Sequence, residues 1–167
     1  SSPIDLNGYV LVYRSAAGST DVGPFASWTS STIIQPGQYY LIGATSYDGS
    51  AAADKIYNPA TCSCSMGVNG GGLALRPSAN GTPVDMVGWG TATNAFIEGT
   101  VTAAAPVNDS RSRQNSGCQD TNNNANDFVA TSPSTPRNSS STPFQCSGNN
   151  GANLFASMAA NPTAVAP

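Results

Sequence analysis

The residues of this chain that could do chemistry are its four cysteines and a few acids. Cys62, Cys64, Cys118 and Cys146 are even in number, and the sequence has no histidine. A zinc site would need all four thiolates, and Cys-x-Cys is not the usual spacing of a zinc knuckle. We therefore predict disulfides, formed in an oxidising compartment. Four cysteines allow three pairings, and a bridge from Cys62 to Cys64 is the least favourable because so short a ring strains it.

Catalytic groups are scarce. Without histidine, neither a Ser-His nor a Cys-His pair is available for nucleophilic catalysis. Carboxylate pairs could be drawn from Asp85, Glu98, Asp109, Asp120 and Asp127, but the sequence places no two of them across a cleft. The glycine-rich run at 69–72 lacks the Lys and the Ser or Thr of a phosphate loop. We expect a chain that is not an enzyme and that needs no cofactor.

The polar segment 120–128 contains the candidates for a metal site. Asp120, Asn122 and Asn124 follow the first, third and fifth ligand positions of a calcium loop. The glycine and the bidentate glutamate that such a loop needs at its sixth and twelfth positions are both replaced. We favour a structural role, in which these side chains cap local backbone turns and Asp127 is a turn or N-cap residue.

Composition favours one β-rich extracellular domain. The chain has 167 residues, of which only 9% are charged, against about 25% in ordinary domains. Long surface helices carry many charges, so the composition argues against them. The net charge of −3 comes with no basic stripe, which argues against nucleic acid as a partner. No run of 18 apolar residues is present, so we predict no membrane span.

The elements that must position these residues are organised around the stretch 83–90. Asn80-Gly81 lies between this stretch and the apolar run 73–75, and that order predicts a β-hairpin. Both faces of the second strand carry bulky side chains, so we place it near the centre of a sheet. Further strands are predicted at 9–13, 33–34, 39–43 and 110–113, with long loops at 14–32 and 45–72. The predicted core contains Leu11, Leu41, Leu75, Val87, Trp89 and Phe128.

The composition changes after Cys146, where Gly, Asn and Ala predominate. We interpret 1–146 as the domain and 147–167 as a linker or tail, with a weak helical turn near 154–158.

The ordered set of motifs resembles the lamin-tail domain family. The matching segments are SPIDLNGY at 2–9, IQPGQYYL at 34–41, GLAL at 72–75, NG at 80–81, VDMVGW at 84–89, SRSR at 110–113, DTNNNANDF at 120–128 and STPRN at 134–138. The resemblance implies an all-β, immunoglobulin-like β-sandwich, a fold that caps nuclear intermediate-filament proteins and also occurs in bacterial exported proteins. The composition and the cysteines are similar to those of the bacterial exported branch.

One feature departs from the family pattern. Members usually open with a strand of the type Trp/Phe-Val-Glu-Leu-Tyr-Asn just before the motif that stands here at 2–9, and no such strand is present. The expectation is a domain that lacks its first strand. Its open edge would either associate with another chain or be covered by residues 147–167.

The resemblance implies a non-catalytic interaction or surface-attachment module of a larger exported bacterial protein. Such a module would be secreted or held at the cell surface, with a protein or a glycan as its partner. One alternative is a carbohydrate-binding module, whose aromatic platform would be built from Trp28, Tyr39, Tyr40, Tyr47 and Tyr57. The other is an accessory domain of an exported nuclease or hydrolase.

Overall fold

The computed structural model describes residues 2–146 and the backbone of 157–159, and strands dominate these residues. In chain order the elements are β1 (Ile4–Asp5), β2 (Val10–Ser15), β3 (Val22–Ser27), β4 (Ile33–Ile34), β5 (Ile42–Ala44), β6 (Lys55–Tyr57), α1 (Pro59–Cys62), β7 (Gly70–Arg76), β8 (Asp85–Gly90), β9 (Ser110–Arg113), α2 (Gln114–Gly117), α3 (Asn124–Asp127), β10 (Phe128–Thr131) and β11 (Ser157–Ala159). Each helix is four residues long, and most strand pairs are antiparallel. The chain is therefore all-β, as predicted.

The predicted hairpin is present as β7 and β8, which pair antiparallel across the loop that contains Asn80-Gly81. They form the largest sheet together with β2 and β3, in the order β3-β2-β7-β8. Alternation along the strands gives this sheet two apolar faces. One face carries Leu11, Tyr13, Leu73, Leu75, Val87 and Trp89, and these side chains make up much of the main core.

The placement of β8 near the centre of a sheet is wrong, because β7 is its neighbour on one side and, among the described residues, no full strand pairs with it on the other. The outer edge of β8 is instead covered by Thr102, whose N–H donates to Gly88 O (2.9 Å) and whose O accepts from Gly90 N (2.8 Å). Its second face is partly covered because Met86 packs against a small cluster built on Phe96. An edge strand that is packed by other residues can therefore carry bulky side chains on both faces, as a central strand does.

Three smaller sheets lie against the main core, with the strand orders β1-β4, β5-β6 and β10-β9-β11. They contribute Ile4, Ile34, Ile42, Tyr57 and Phe128 to the main core. β3 and β6 fall in stretches predicted as loops, 14–32 and 45–72. β3 contains Pro24, which a strand tolerates at the edge of a sheet, and β3 is the edge strand there.

The structure buries five of the six residues of the predicted core: Leu11, Leu75, Val87, Trp89 and Phe128. Leu41 is the exception, and it is only half-buried. The reason is alternation in extended chain, since the next residue, Ile42, packs against the core and Leu41 consequently faces away from it.

Both cysteine pairs are bridged, Cys62 with Cys64 and Cys118 with Cys146. The prediction of disulfides is confirmed, but the short pairing, which the sequence disfavoured, is the one that forms. The turn that closes it is built by α1 and by Ser63, which adopts the left-handed conformation with φ 50° and ψ 37°. That conformation brings the two sulfurs to the same side of the turn.

Most of the predicted linker, 147–167, lies outside the described residues. Within it, β11 (Ser157–Ala159) pairs antiparallel with β9. The helical turn predicted near 154–158 is therefore wrong at residues 157 and 158, and its other residues lie outside the described part of the chain.

Candidate functional site

A buried arginine lies at the junction of β8, β9 and β10. The side chain of Arg113, the last residue of β9, is 0% exposed. Its Nη2 donates to Asp85 Oδ1 at 2.9 Å, while its Nη1 lies 3.4 Å from Asp120 Oδ1 and 3.7 Å from Asp127 Oδ2. The guanidinium also stacks 4.7 Å from the ring centroid of Phe128, the strand partner of Arg113. We call Arg113, Asp85, Glu98, Asp120, Asn124 and Asp127 the Arg113 cluster.

Asn124 joins this cluster to β8 and is completely buried. Its Oδ1 accepts hydrogen bonds from the backbone N–H of Gly88 (2.8 Å) and of Glu98 (3.1 Å). Its Nδ2 donates to Met86 O (3.2 Å) and to Glu98 Oε2 (3.1 Å). All the hydrogen-bonding positions of an amide side chain are thus used. Asn124 therefore fixes the segment around Glu98 against β8.

The buried carboxylate of Asp127 holds the turn that precedes α3. It accepts hydrogen bonds from the N–H and the hydroxyl of Thr121 and from the N–H of Asn123. Asp127 is thus a turn residue, whereas the N-cap of α3 is Asn123, whose side chain accepts from Ala125 N and Asn126 N. This turn places the carboxylate of Asp127 beside the guanidinium of Arg113.

The four calcium candidates do not converge on one point. The side-chain oxygens of Asp120, Asn124 and Asp127 contact Arg113 or backbone N–H groups, and Asn122 is exposed with a left-handed φ of 53°. Within the described ranges, no group of three or more His, Cys, Asp or Glu side chains is arranged to hold a metal ion. These oxygens instead hold the fold together, because Asn124 Oδ1 binds β8 and the segment around Glu98, while the carboxylates of Asp120 and Asp127 contact Arg113.

The electrostatics of the cluster are dominated by an excess of negative charge. Burial, opposed by the charge of Arg113 and assisted by Glu98 and Asp120, raises the pKa of Asp85 to about 7. Burial and then Asp120 also raise the pKa of Glu98. Asp85 Oδ2 is buried and has no hydrogen-bond partner within the part of the chain that the structure describes. A proton on Asp85 would remove part of the repulsion between the acids.

The aromatic residues proposed as a glycan platform do not form an exposed row. Trp28 and Tyr39 are buried, and Tyr40, Tyr47 and Tyr57 are half-buried. The rings of Trp28 and Tyr40 pack edge to face with their centroids 5.8 Å apart. Trp28, Tyr40 and Tyr57 all belong to the main core or pack against it.

The role of Arg113 was not predicted from the sequence, in which this residue was noted only as part of the predicted strand and motif at 110–113. One signal was present, because Asp85 is an acid within a buried apolar run. A buried charge requires a partner of opposite sign. With only six basic residues in the chain, the candidates for that partner are few.

Comparison with known proteins found no match among models of protein families, curated proteins or solved structures. In the part of the chain that the structure covers, no helix has the length and apolar character that spanning a bilayer requires.

Proposed function

We propose that this chain is a lamin-tail-like, immunoglobulin-like β-sandwich that acts as a non-catalytic interaction or surface-attachment module of a larger exported bacterial protein. The observation that carries the proposal is the distribution of side chains. Two of the acids considered for catalysis, Asp85 and Asp127, are buried in the interior, whereas large aliphatic side chains are exposed at the surface.

The sandwich is supported by the layering of the core. One face of the sheet β3-β2-β7-β8 packs against side chains from the three smaller sheets, so a single apolar layer lies between strands. Two strand layers around one such core is the arrangement of a β-sandwich. The motif order described above agrees with this architecture, and two disulfides suit an exported domain.

A non-catalytic role is supported by the state of the carboxylates. Four of the five acids considered for catalysis, Asp85, Glu98, Asp120 and Asp127, gather around Arg113 and Asn124. Asp85 and Asp127 are at most 7% exposed, so a substrate has little access to either. Charges buried in this way hold segments of a fold in place.

The surface offers aliphatic groups to a partner. Large hydrophobic side chains are exposed at Ile33, Ile56, Val68, Val84, Val107, Val129 and Phe144, of which Val107 is the most exposed, at 84%. Aliphatic side chains displayed on a rigid β scaffold suit contact with a macromolecule. The aromatic residues considered for a glycan platform are buried or half-buried, which favours a protein over a glycan as the partner.

The test is retention on bacterial envelopes. The oxidised chain, carrying a fluorescent label at its N-terminus, is incubated with isolated envelopes and the bound fraction is measured after washing. The heat-denatured, reduced chain is the control for non-specific adhesion. Serine substitution of each exposed aliphatic residue in turn, beginning with Val107→Ser, then locates the contact surface without disturbing the core.

Treatment of the envelopes separates the candidate partners. Loss of retention after protease digestion of the envelopes supports the proposed protein partner. Loss after periodate oxidation of envelope glycans, with protease having no effect, would favour the carbohydrate-binding alternative instead. Retention no greater than that of the denatured chain would contradict an attachment role.

A further inference from the structure

The two sulfurs of the Cys62–Cys64 bridge differ in their access to solvent. Cys62 ends α1 and is partly exposed, and its neighbours Thr61 and Ser63 are exposed. Cys64 is 0% exposed and belongs to the main core. An external thiolate must reach a sulfur to attack a disulfide. In this bridge an external thiolate can therefore reach the sulfur of Cys62 but not that of Cys64.

The bridge closes a ring over one intervening residue, Ser63. Ser63 is held in the left-handed region, which non-glycine residues other than Asn and Asp seldom occupy. So short a ring also restricts the unfolded chain very little, which means that the fold gains little from this bridge.

The reduced form already has a partner for the exposed thiol. Cys62 Sγ lies 3.2 Å from Asn58 O, and a disulfide sulfur has no hydrogen to donate to that oxygen. A Cys62 thiol could donate one there. The backbone bonds Cys62 N to Asn58 O and Cys64 N to Pro59 O, both 3.2 Å, do not depend on the sulfurs. Buried as a free thiol, Cys64 would act as a small hydrophobic side chain.

The Cys118–Cys146 bridge differs from Cys62–Cys64 in the length of chain that it closes and in the contacts that hold its segment. Cys118 and Cys146 are 28 residues apart in sequence, so their bridge restricts the unfolded chain much more. The segment leading to Cys146 is also held on the body of the domain, by Phe144 N donating to Gly37 O and by Gln145 Nε2 donating to Pro36 O. These contacts keep the two sulfurs together after reduction and favour re-closure.

From these observations we propose that Cys62–Cys64 is a thiol–disulfide exchange site whose substrates are dithiols and, in the reverse direction, disulfides. A thiolate of the dithiol attacks Cys62 Sγ, the Cys62–Cys64 bond breaks, and Cys64 leaves as a thiolate that takes up a proton. The second thiol of the reductant loses its proton and attacks the sulfur of the first, releasing Cys62 as a thiolate that is protonated. Two electrons pass to the protein, which gains two thiols, and the dithiol becomes a disulfide. The site does not depend on the partner proposed above.

The first test is selective reduction of the native chain. The oxidised protein is equilibrated with a series of reduced-to-oxidised dithiothreitol ratios, alkylated, and mapped by peptide mass spectrometry. We expect Cys62 and Cys64 to become alkylated at a ratio at least about tenfold lower than Cys118 and Cys146, with unchanged far-ultraviolet circular dichroism. Joint opening of the two bridges at one ratio, or opening only when the dichroism is lost, would overturn the proposal.

The second test concerns which sulfur is attacked. Cys64→Ser leaves Cys62 free, and Cys62→Ser leaves Cys64 free, with the other bridge intact in both variants. We expect an aromatic disulfide reagent to react with Cys62 at least about tenfold faster than with Cys64. Equal rates in two folded variants would contradict the assignment of Cys62 as the entry point. Should either variant fail to fold, the reduction series on the unmodified chain still decides the matter.

Discussion

At the scale of single residues, the main feature is one buried cation facing several acids. Arg113 lies within 3.7 Å of carboxylate oxygens from Asp85, Asp120 and Asp127, and Glu98 is connected to them through Asn124. One positive charge cannot balance four negative ones where two of the acids, Asp85 and Asp127, are buried and poorly screened by solvent. The cluster is therefore most stable when one carboxyl is protonated. Asp85 is the acid whose pKa rises to about 7.

This charge balance predicts that the domain loses stability as the pH rises. The pKa of Asp85 is about 7 in the folded state and 3.8 in the reference state, so the folded protein binds the extra proton between these values. This extra proton stabilises the folded state by about 4 kcal/mol at most. The stabilisation is fully present below about pH 4 and is lost as the pH rises through about 7. The raised pKa of Glu98 acts in the same direction. Urea unfolding between about pH 5 and pH 8 measures the effect.

Two variants separate Asp85 from the other acids. Asp85→Asn removes the titrating group but keeps an oxygen that can accept from Arg113, so its stability should vary less over this pH range. Asp48→Asn changes an exposed acid and should behave like the parent. A parent stability that stays flat or rises with pH would show that Asp85 is ionised throughout.

Trp89 is the second residue whose role can be tested directly. Its indole N–H donates to Gly67 O at 2.9 Å and its ring stacks on Tyr13 with the centroids 5.8 Å apart. Trp89→Ala leaves a large cavity and should cost about 3 to 5 kcal/mol in chemical unfolding. Trp89→Phe keeps much of the ring contact and should cost distinctly less. An alanine variant as stable as the parent would place Trp89 outside the core, against the structure.

Sequence reasoning succeeded for residues whose signal is local. Asn80-Gly81 between two apolar runs predicted the hairpin, which forms across a longer loop at residues 77–84 in which neither Asn80 nor Gly81 has a positive φ. It failed for Leu41, where a single step in the alternation decides which side chain is buried. It also failed for Arg113, because the acids that surround it come from segments that meet only in the folded chain.

At the scale of elements, the loops are tied down more firmly than their length suggests. The stretch before β7 is joined to the core by Gly67, whose N–H donates to the Tyr13 hydroxyl and whose O accepts from Trp89. The stretch after β10 is held by Asn138, which donates to Ala52 O, and by Ser139, which contacts Asp54. These contacts join distant parts of the sequence, so composition alone could only describe the stretches as loops.

The two disulfides should differ in their contribution to stability. In the chain-entropy model, a bridge between residues 28 apart contributes about 3 to 4 kcal/mol, whereas a bridge between residues 2 apart contributes less than about 2 kcal/mol. The Cys118→Ala/Cys146→Ala variant should therefore lose clearly more stability than Cys62→Ala/Cys64→Ala. Thermal and urea unfolding of the two double variants give the comparison. Equal losses would mean that native-state packing, and not loop closure, sets the value of each bridge.

The edge position of β8 could not be predicted for a related reason. A strand with bulk on both faces is typical of the centre of a sheet, yet β8 gains its second layer from Phe96 and its edge cover from Thr102. Both residues follow β8 in irregular chain. The pattern of side chains along a strand therefore indicates that both of its faces are covered. It does not indicate whether another strand or a loop provides that cover.

At the scale of the whole molecule, low charge makes every open strand edge a liability. Only 9% of the residues are charged, so few Lys or Glu side chains are available to keep another chain from pairing with an edge. β9 avoids the problem because it has a strand on each side, β10 and β11. Of these, β11 comes from the segment that composition identifies as a tail.

We therefore predict that residues 147–167 protect the domain from self-association. Truncation after Cys146 removes β11 and leaves one side of β9 unpaired. The truncated chain should lose about 1 kcal/mol, or about 2 to 4 °C in Tm, and should form dimers or larger species as its concentration rises. Sedimentation velocity over a dilution series and thermal melting measure both effects.

Met158→Pro, which removes a backbone donor within β11, should reproduce them at full length, whereas Ala164→Pro, beyond the strand, should not. A truncated chain that remains monomeric and melts with the parent would show that β11 contributes nothing to the cover of β9.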